Sequence, residues 1–430
     1  MVREPLFKRV LVLAVAHSRR VLMIAYHFPP LAGSSGIQRT LRFVQHLPAF
    51  GWQPLVLTAH TRAYERTSDD LNADVPSGTV VRRAFALNAA RHLSLGGRYI
   101  GATARPDRWV SWRFDAVRQG MQLVKEMRPD AIWSTYPIAT AHLIGAALQK
   151  KTGLPWIADF RDPMAQDGYP ADPATHAQFV AIESDAMAHA ACNTFTTPGA
   201  ARAYAERYPA ARERIVVIEN GYDEESFVAA EQAHMPLAPL HPGTLTLLHS
   251  GIVYPLERDP TQLFMALRQL RDQGRISPHT LRLRFRAAVH DALLHQLATQ
   301  ADVQDFIEIL PPVPYRQALH EMRCADALLV LQAGNCNDQI PGKLYEYLRA
   351  QRPIFCATDL RGDTAGLLRG AGIDSIADIA DAPSLARSLA VFLTGLQGGA
   401  AALADPAMVA SASRSARAHQ LAQQLTRVTG

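Results

Sequence analysis

Asp338-Gln339-Ile340-Pro341-Gly342-Lys343-Leu344-Tyr345-Glu346-Tyr347-Leu348-Arg349-Ala350-Gln351-Arg352-Pro353 decides how the rest of the chain is read. It reads as the start of a helix. Pro341 fits the first turn, where a missing N–H costs nothing. Gly342 admits close approach to the backbone, Leu344 to Leu348 are good helix formers, and Pro353 bounds the end. Ala327-Leu328-Leu329-Val330-Leu331 in front and Pro353-Ile354-Phe355-Cys356-Ala357 behind read as buried strands. A strand, a loop and a helix N-terminus form an anion site, because unpaired N–H groups and the helix dipole face out of the sheet's carboxyl edge. Lys343 adds a full charge there. Glu346, one turn on, is placed to accept hydrogen bonds from a diol beside the bound phosphate. Only five of the 44 basic residues are lysines, so Lys343 is not there by compositional default.

Strand and helix patterns alternate outward from this stretch in both directions. Residues 20–26 read as the first strand, followed by a Pro-Pro break and a small-residue loop holding Gly33 and Gly36. A helix of about 12 residues ending near Gly51 comes next, then a strand over 54–58. This βαβ opening lacks GxGxxG and has no acid ending its second strand, which disfavours a dinucleotide site. Strands are expected near 79–84, 130–135, 155–163, 193–197 and 215–218. Residues 93–112, with Gly96-Gly97, Trp109 and Trp112, read as an aromatic loop. Asp159, Arg161 and Asp162 fall at a strand's carboxyl end, where open α/β sheets place function. His142, on the preceding helix, is read as facing outward. Gly221 is expected to supply a positive φ to the turn 219–223. Residues 228–243 thin into Ala, Pro and His and read as a linker. Strands then resume at 245–251, 281–287, 306–310, 327–331 and 354–357, and an Ala-rich helix spans about 407–427.

At 430 residues the chain is long enough for two domains. The expected division is an extension over 1–19, domains over 20–227 and 244–405 around the linker 228–243, and a final helical segment over 406–430. The extension carries a short apolar core without a cleavage site and reads equally as an added edge strand. Net charge is +5, compatible with phosphorylated substrates or an anionic membrane surface. The arginines are dispersed, which argues against nucleic acid. Cys192, Cys324, Cys336 and Cys356 form no CxxC pair and are expected to be buried free thiols. No apolar run approaches the ~18 residues needed to span a bilayer.

The 338–353 pattern resembles the C-terminal half of retaining GT-B glycosyltransferases of family 4, in which two acids separated by seven residues flank this helix start. Asp338 and Glu346 stand at that spacing, with Asp in place of the usual Glu at the first. The resemblance extends to the loop at Gly33 and Gly36, the Asp159-Phe160-Arg161-Asp162 strand end, the Glu219–Asp223 turn and the loop after Gly251. It implies an α/β, GT-B architecture: two Rossmann-like domains facing across a cleft, with the last helix crossing back to the first domain. It implies glycosyl transfer from a nucleoside diphosphate sugar to an acceptor hydroxyl, with retention of configuration and no cofactor. The absence of a DxD tripeptide agrees with metal independence. The resemblance places Glu346 on the ribose hydroxyls and Asp338 near the donor sugar. Lys343 and Arg258 would lie on the diphosphate, and Gly33, Gly36, Gly251 and Gly342 along the donor. Asp159, Arg161, Asp162 and His142 become acceptor-side candidates, and the aromatic insertion would shape the acceptor pocket. The cation expected just after Gly251 is missing, because Ile252 occupies its place, and Arg286 is the candidate to compensate. A glycan or lipid-linked acceptor and a cytoplasmic location, peripheral at the membrane's inner face, are implied by the family alone. A non-catalytic GT-B-like partner and a nucleotide-sugar epimerase remain the rival readings.

Overall fold

Continuous apolar strand runs build two parallel sheets. The computed structural model describes residues 19–34, 36–96, 98–233 and 236–430. The extension read over 1–19 therefore lies outside the described residues, apart from Arg19. The first sheet contains β1 (Arg19–Ile24), β2 (Trp52–Ala59), β3 (Val80–Ala84), β4 (Ala131–Thr135), β5 (Trp156–Arg161), β6 (Cys192–Phe195) and β7 (Ile215–Val217). Their spatial order is β3-β2-β1-β4-β5-β6-β7. The second sheet contains β8 (Leu245–Ser250), β9 (Leu281–Arg286), β10 (Ile307–Leu310), β11 (Ala327–Gln332), β12 (Ile354–Thr358) and β13 (Ile376–Ala377). Its order is β10-β9-β8-β11-β12-β13. Strand order reverses between β1 and β4 and again between β8 and β11. The crevice outside the carboxyl ends at such a switch point is where open α/β sheets bind ligands.

Each sheet is buried on both faces, which is why its central strands read as unbroken apolar runs. Side chains alternate with the pleat. Leu22 and Ile24 join one core of the first domain, while Val21 and Met23 join the other. In the second domain Leu329 and Leu331 face one core, and Leu328 and Val330 face the opposite one. All four cysteines are buried and free. Among the described residues no helix is long and apolar enough to cross a membrane.

The last helix, Arg414–Thr429, closes the architecture by crossing back. Ala418, Leu421, Ala422 and Leu425 complete the core on one face of the first sheet. The Arg414 amide donates to the Tyr222 carbonyl at 2.9 Å, and the Tyr222 amide to the Ala412 carbonyl at 3.2 Å. Gly221 permits this crossing by lacking a Cβ: one built there would lie 2.5 Å from the Ala412 carbonyl. It does not adopt the positive φ expected of it. The stretch read as linker from 228 also begins inside a helix, Glu224–Gln232. Asp223 caps that helix through the Ser226 amide, and Phe227 and Ala230 anchor it in the second domain's core.

Candidate active site in the interdomain cleft

A cavity of about 630 Å³ opens between the two carboxyl edges, within the usual range for small-molecule sites. Its second-domain wall is built by the loop after β8 and by the short helix Lys343–Ala350 after β11. That helix begins later than the sequence implied, which placed Pro341 in its first turn. Gly342 occupies the capping position, so Pro341 stands just ahead of the helix and its carbonyl accepts from the Leu344 amide at 2.9 Å. Among the described residues, the amides of Gly342 and Lys343 have no partner. They are available to an anion.

Lys343 is held by His249. Its Nζ lies 2.7 Å from His249 Nε2, and His249 Nδ1 lies 3.1 Å from the Leu329 carbonyl. A carbonyl can only accept, so Nδ1 carries the ring proton and Nε2 accepts from the ammonium. The ring is thus a neutral orienter. Burial, then the charges of Lys343 and Arg258, hold its pKa well below the usual histidine range. Burial, followed by the charge of Arg258, likewise lowers Lys343, and Glu346 partly offsets this. Gly251, at φ +109°, leaves the space the ammonium occupies: a Cβ there would sit 3.3 Å from Nζ.

Arg258 lines the same wall. It donates to the Ile252 carbonyl at 2.6 Å and lies over the Tyr254 ring. It forms no ion pair with its neighbours Glu257 or Asp259, and its Nε is buried without a partner. Glu346 accepts from the Tyr315 hydroxyl at 2.8 Å. Burial raises its pKa, against the opposing pull of Tyr315, Arg414 and Lys343. Three cations therefore converge on this half of the cavity, two from the second domain and Arg414 from the returning helix. Arg286 does not join them. Its guanidinium is taken by Glu321, at 2.8 and 2.7 Å, and by the Pro311 carbonyl.

Several other sequence expectations change on the first-domain side. Arg161 and Asp162 line the cavity, but Asp159 points the other way and is fully buried. It takes Arg39 in a two-pronged pair at 2.9 and 2.8 Å and accepts from Thr135 and Thr194. It is the staple between the first helix and the sheet, not a cleft residue. His142 is also fully buried. It bonds Ser134 Oγ at 2.8 Å and packs against Phe160 and Trp156, because its helix turns that face inward. Asp338 is exposed but absent from the cavity wall. Its carboxylate lies against Gly199, at the start of the helix Pro198–Arg207, and its carbonyl accepts from Thr197 at 2.7 Å. It belongs to the contact between domains.

Gly33, at φ +80°, makes the turn that leads into the first helix. A Cβ on Gly36 would lie 2.3 Å from His27 Nδ1, so glycine is needed there for space. The aromatic insertion stays off the cavity wall. Trp109 and Trp112 pin it against Tyr26. Sequence reasoning passed over His249, Tyr315, Arg39 and Arg414. A histidine ending an otherwise apolar strand was the available signal for His249. Arg414 had none, since only the crossing of the last helix brings it to the cavity.

Comparison with known proteins gives three results. Residues 35–221 match the model of the glycosyl transferase 4-like domain. No curated protein matches the sequence. Solved structures match the fold along nearly its whole length. HepE of Anabaena, in complex with UDP and glucose, superposes with a TM-score of 0.62 at 13% identity, over 95% of this chain and 100% of that one. The trehalose 6-phosphate synthase of Burkholderia multivorans gives 0.60 at 14%, over 96% and 97%. The lipopolysaccharide outer core galactosyltransferase WaaB gives 0.59 at 11%, over 95% and 99%.

Proposed function

We propose, from the premise that residues 35–221 form a glycosyl transferase 4-like domain within a chain of GT-B fold, that this protein moves a sugar from a nucleoside diphosphate sugar to an acceptor hydroxyl, retaining configuration and using no metal. The observation that carries the reading is the group of Lys343, Arg258, Glu346 and the free amides of Gly342 and Lys343 on one wall of the cavity. A departing diphosphate needs positive charge and aimed N–H groups, held in place before charge develops. A ribose needs a carboxylate within reach of those phosphates. Retention follows the family resemblance. In this reading the leaving phosphate oxygen takes the acceptor's proton on the face from which it departs, and no side chain is assigned as nucleophile. Closure of the two domains excludes water and orients the reactants.

Calorimetric titration with UDP, GDP, ADP and CMP tests the donor site directly. HepE is seen with UDP, which makes UDP the first to try. One diphosphate is expected to bind, and Glu346→Ala to weaken it by at least tenfold, the loss of a charge-assisted contact of about 1.5–3 kcal/mol. Equal affinity in wild type and variant would remove Glu346 from the donor site. A chain that binds no diphosphate would be read as a non-catalytic partner.

A lipid-linked or cell-surface glycan acceptor at the inner face of the cytoplasmic membrane completes the proposal. It is supported by the surface over residues 85–114, where Phe85, Leu93, Leu95, Tyr99, Ile100 and Phe114 are exposed. Arg91, Arg98 and Arg113 fall in the same segment and have no ion pair among the described residues, which combines apolar insertion with attraction to anionic headgroups. Leu95→Asp with Ile100→Asp is expected to weaken co-sedimentation with phosphatidylglycerol vesicles by at least tenfold. Unaltered sedimentation of the double variant would move the contact elsewhere.

A further inference from the structure

We propose that the first-domain wall of the cleft is a second anion site, in which Arg161 receives a phosphate group carried by the acceptor. The inference rests on the glycosyltransferase reading and names the chemical class of its second substrate.

Arg161 has a backbone conformation that only glycine adopts readily, with φ +62°. The strain is held in place from several sides. The Asp162 amide donates across it to the Phe160 carbonyl at 2.7 Å, and the Arg161 carbonyl accepts from the Thr196 amide and hydroxyl, both at 2.9 Å. The pairing of β5 with β6 slips register at this point. A non-glycine residue in such a conformation costs on the order of 1–3 kcal/mol and persists where the surroundings enforce it, most often at binding sites. Here it turns the side chain off the strand and into the cavity.

The guanidinium draws only unbonded attraction from the protein, chiefly that of the neighbouring Asp162 carboxylate. Among the described residues it has no hydrogen bond and no ion pair, and its Nε is buried without a partner. Arg39, close by, is matched in full by Asp159 and two carbonyls. Asp162 adjoins Arg161 in sequence but makes no ion pair with it. Burial lowers the pKa of Arg161, so the charged form is poorly served where it stands. A half-buried cation whose neighbouring carboxylate forms no ion pair with it is poorly compensated, and one that also sits on a strained backbone is placed for a ligand.

The neighbouring groups fit a phosphate. Gly36 opens the helix Gly36–His46, and a Cβ there would lie 3.0 Å from Arg161 Nη1. The guanidinium therefore sits over a helix N-terminus, where the dipole favours an anion. Ser34 and Gln38 line the same wall and supply neutral donors. His27 is neutral, its pKa lowered to about 4 by burial and by Arg161. A planar guanidinium binds phosphate through two parallel hydrogen bonds. Lys343 and Arg258 meet the donor diphosphate from the second domain, and Gly33 and Gly36, read as lying along the donor, carry no side chain, so the anion received by Arg161 is assigned to the acceptor.

The test uses inorganic phosphate as the probe. With the protein saturated by its nucleoside diphosphate, phosphate titration is expected to show one further site. Arg161→Gln should weaken that site at least tenfold and change diphosphate affinity by less than twofold. Arg161→Gly, which relaxes the backbone, should lose phosphate equally while melting no lower than wild type, so that loss of fold is excluded. Absence of a second site in the wild type would overturn the proposal. So would an equal loss of diphosphate affinity in Arg161→Gln, which would assign the residue to the donor. If no nucleoside diphosphate binds, the glycosyltransferase reading falls instead. Phosphate titrated into the free protein then decides the site: loss in Arg161→Gln with retention in Lys343→Ala supports it, and retention in both overturns it.

Discussion

Lys343→Ala is expected to lower turnover by about 10²–10³-fold, the loss typical of a preorganised group facing developing charge. The effect on nucleoside diphosphate affinity should be smaller. Among the described residues Lys343 has no carboxylate ion-pair partner, and its Nζ is held by the neutral His249 ring. Burial and Arg258 both disfavour its charge, and a diphosphate reverses that balance most strongly when the bond to the sugar breaks. An interaction that grows along the reaction appears in kcat more than in KM. Initial rates of donor consumption measure it. Turnover within a few fold of wild type would remove Lys343 from the chemistry. Arginine is not expected to substitute, because the ammonium fills a niche bounded by Gly251 and His249, and a planar fork does not fit a point-charge site.

Asp159→Ala should destabilise the protein by roughly 3–5 kcal/mol, as happens when one partner of a buried pair is removed and the other charge is left inside. Asp159 satisfies Arg39 and two threonines at once, so its loss strands several groups. Asp162→Ala, three residues on, exposed and without a salt bridge, should shift stability by no more than about 0.5 kcal/mol. Thermal melting of the two variants side by side is the measurement. Equal melting temperatures would mean that the Arg39–Asp159 pair does not carry the first domain's stability as the geometry implies.

These two carboxylates also show where the sequence stopped being informative. Both stand at a strand's carboxyl end, and both were legible as candidates. Which one turns inward depends on the left-handed turn at Arg161, and no residue type announces a positive φ at an arginine. The fold itself was legible because buried parallel strands must be apolar on both faces, as at 21–24 and 327–331. The second-domain half of the site was legible because one contiguous stretch builds it: Gly342, Lys343 and Glu346 lie within a single helix start. Tyr315 and Arg414 reach the cavity from separate elements, and sequence order does not reveal that. Asp338 stood at the right spacing, but the chain ahead of the helix start turns it toward Gly199. His142 and Arg286 failed for a common reason. Each found a partner in the folded protein, Ser134 for one and Glu321 for the other.

The returning helix has a consequence for the order in which the protein is made. Its residues Ala418, Leu421, Ala422 and Leu425 belong to the core of the first domain, yet about 200 residues separate them from Tyr222, where that domain otherwise ends. At ~5–20 residues per second of synthesis, roughly 10–40 s pass before they emerge. Throughout that interval the helix Gly36–His46 covers part of this core through Leu41, Phe43 and Val44, and the apolar surface that the last helix will cover stays open while the second domain is translated. The first domain's core is therefore expected to be completed only when the Arg414–Thr429 helix docks.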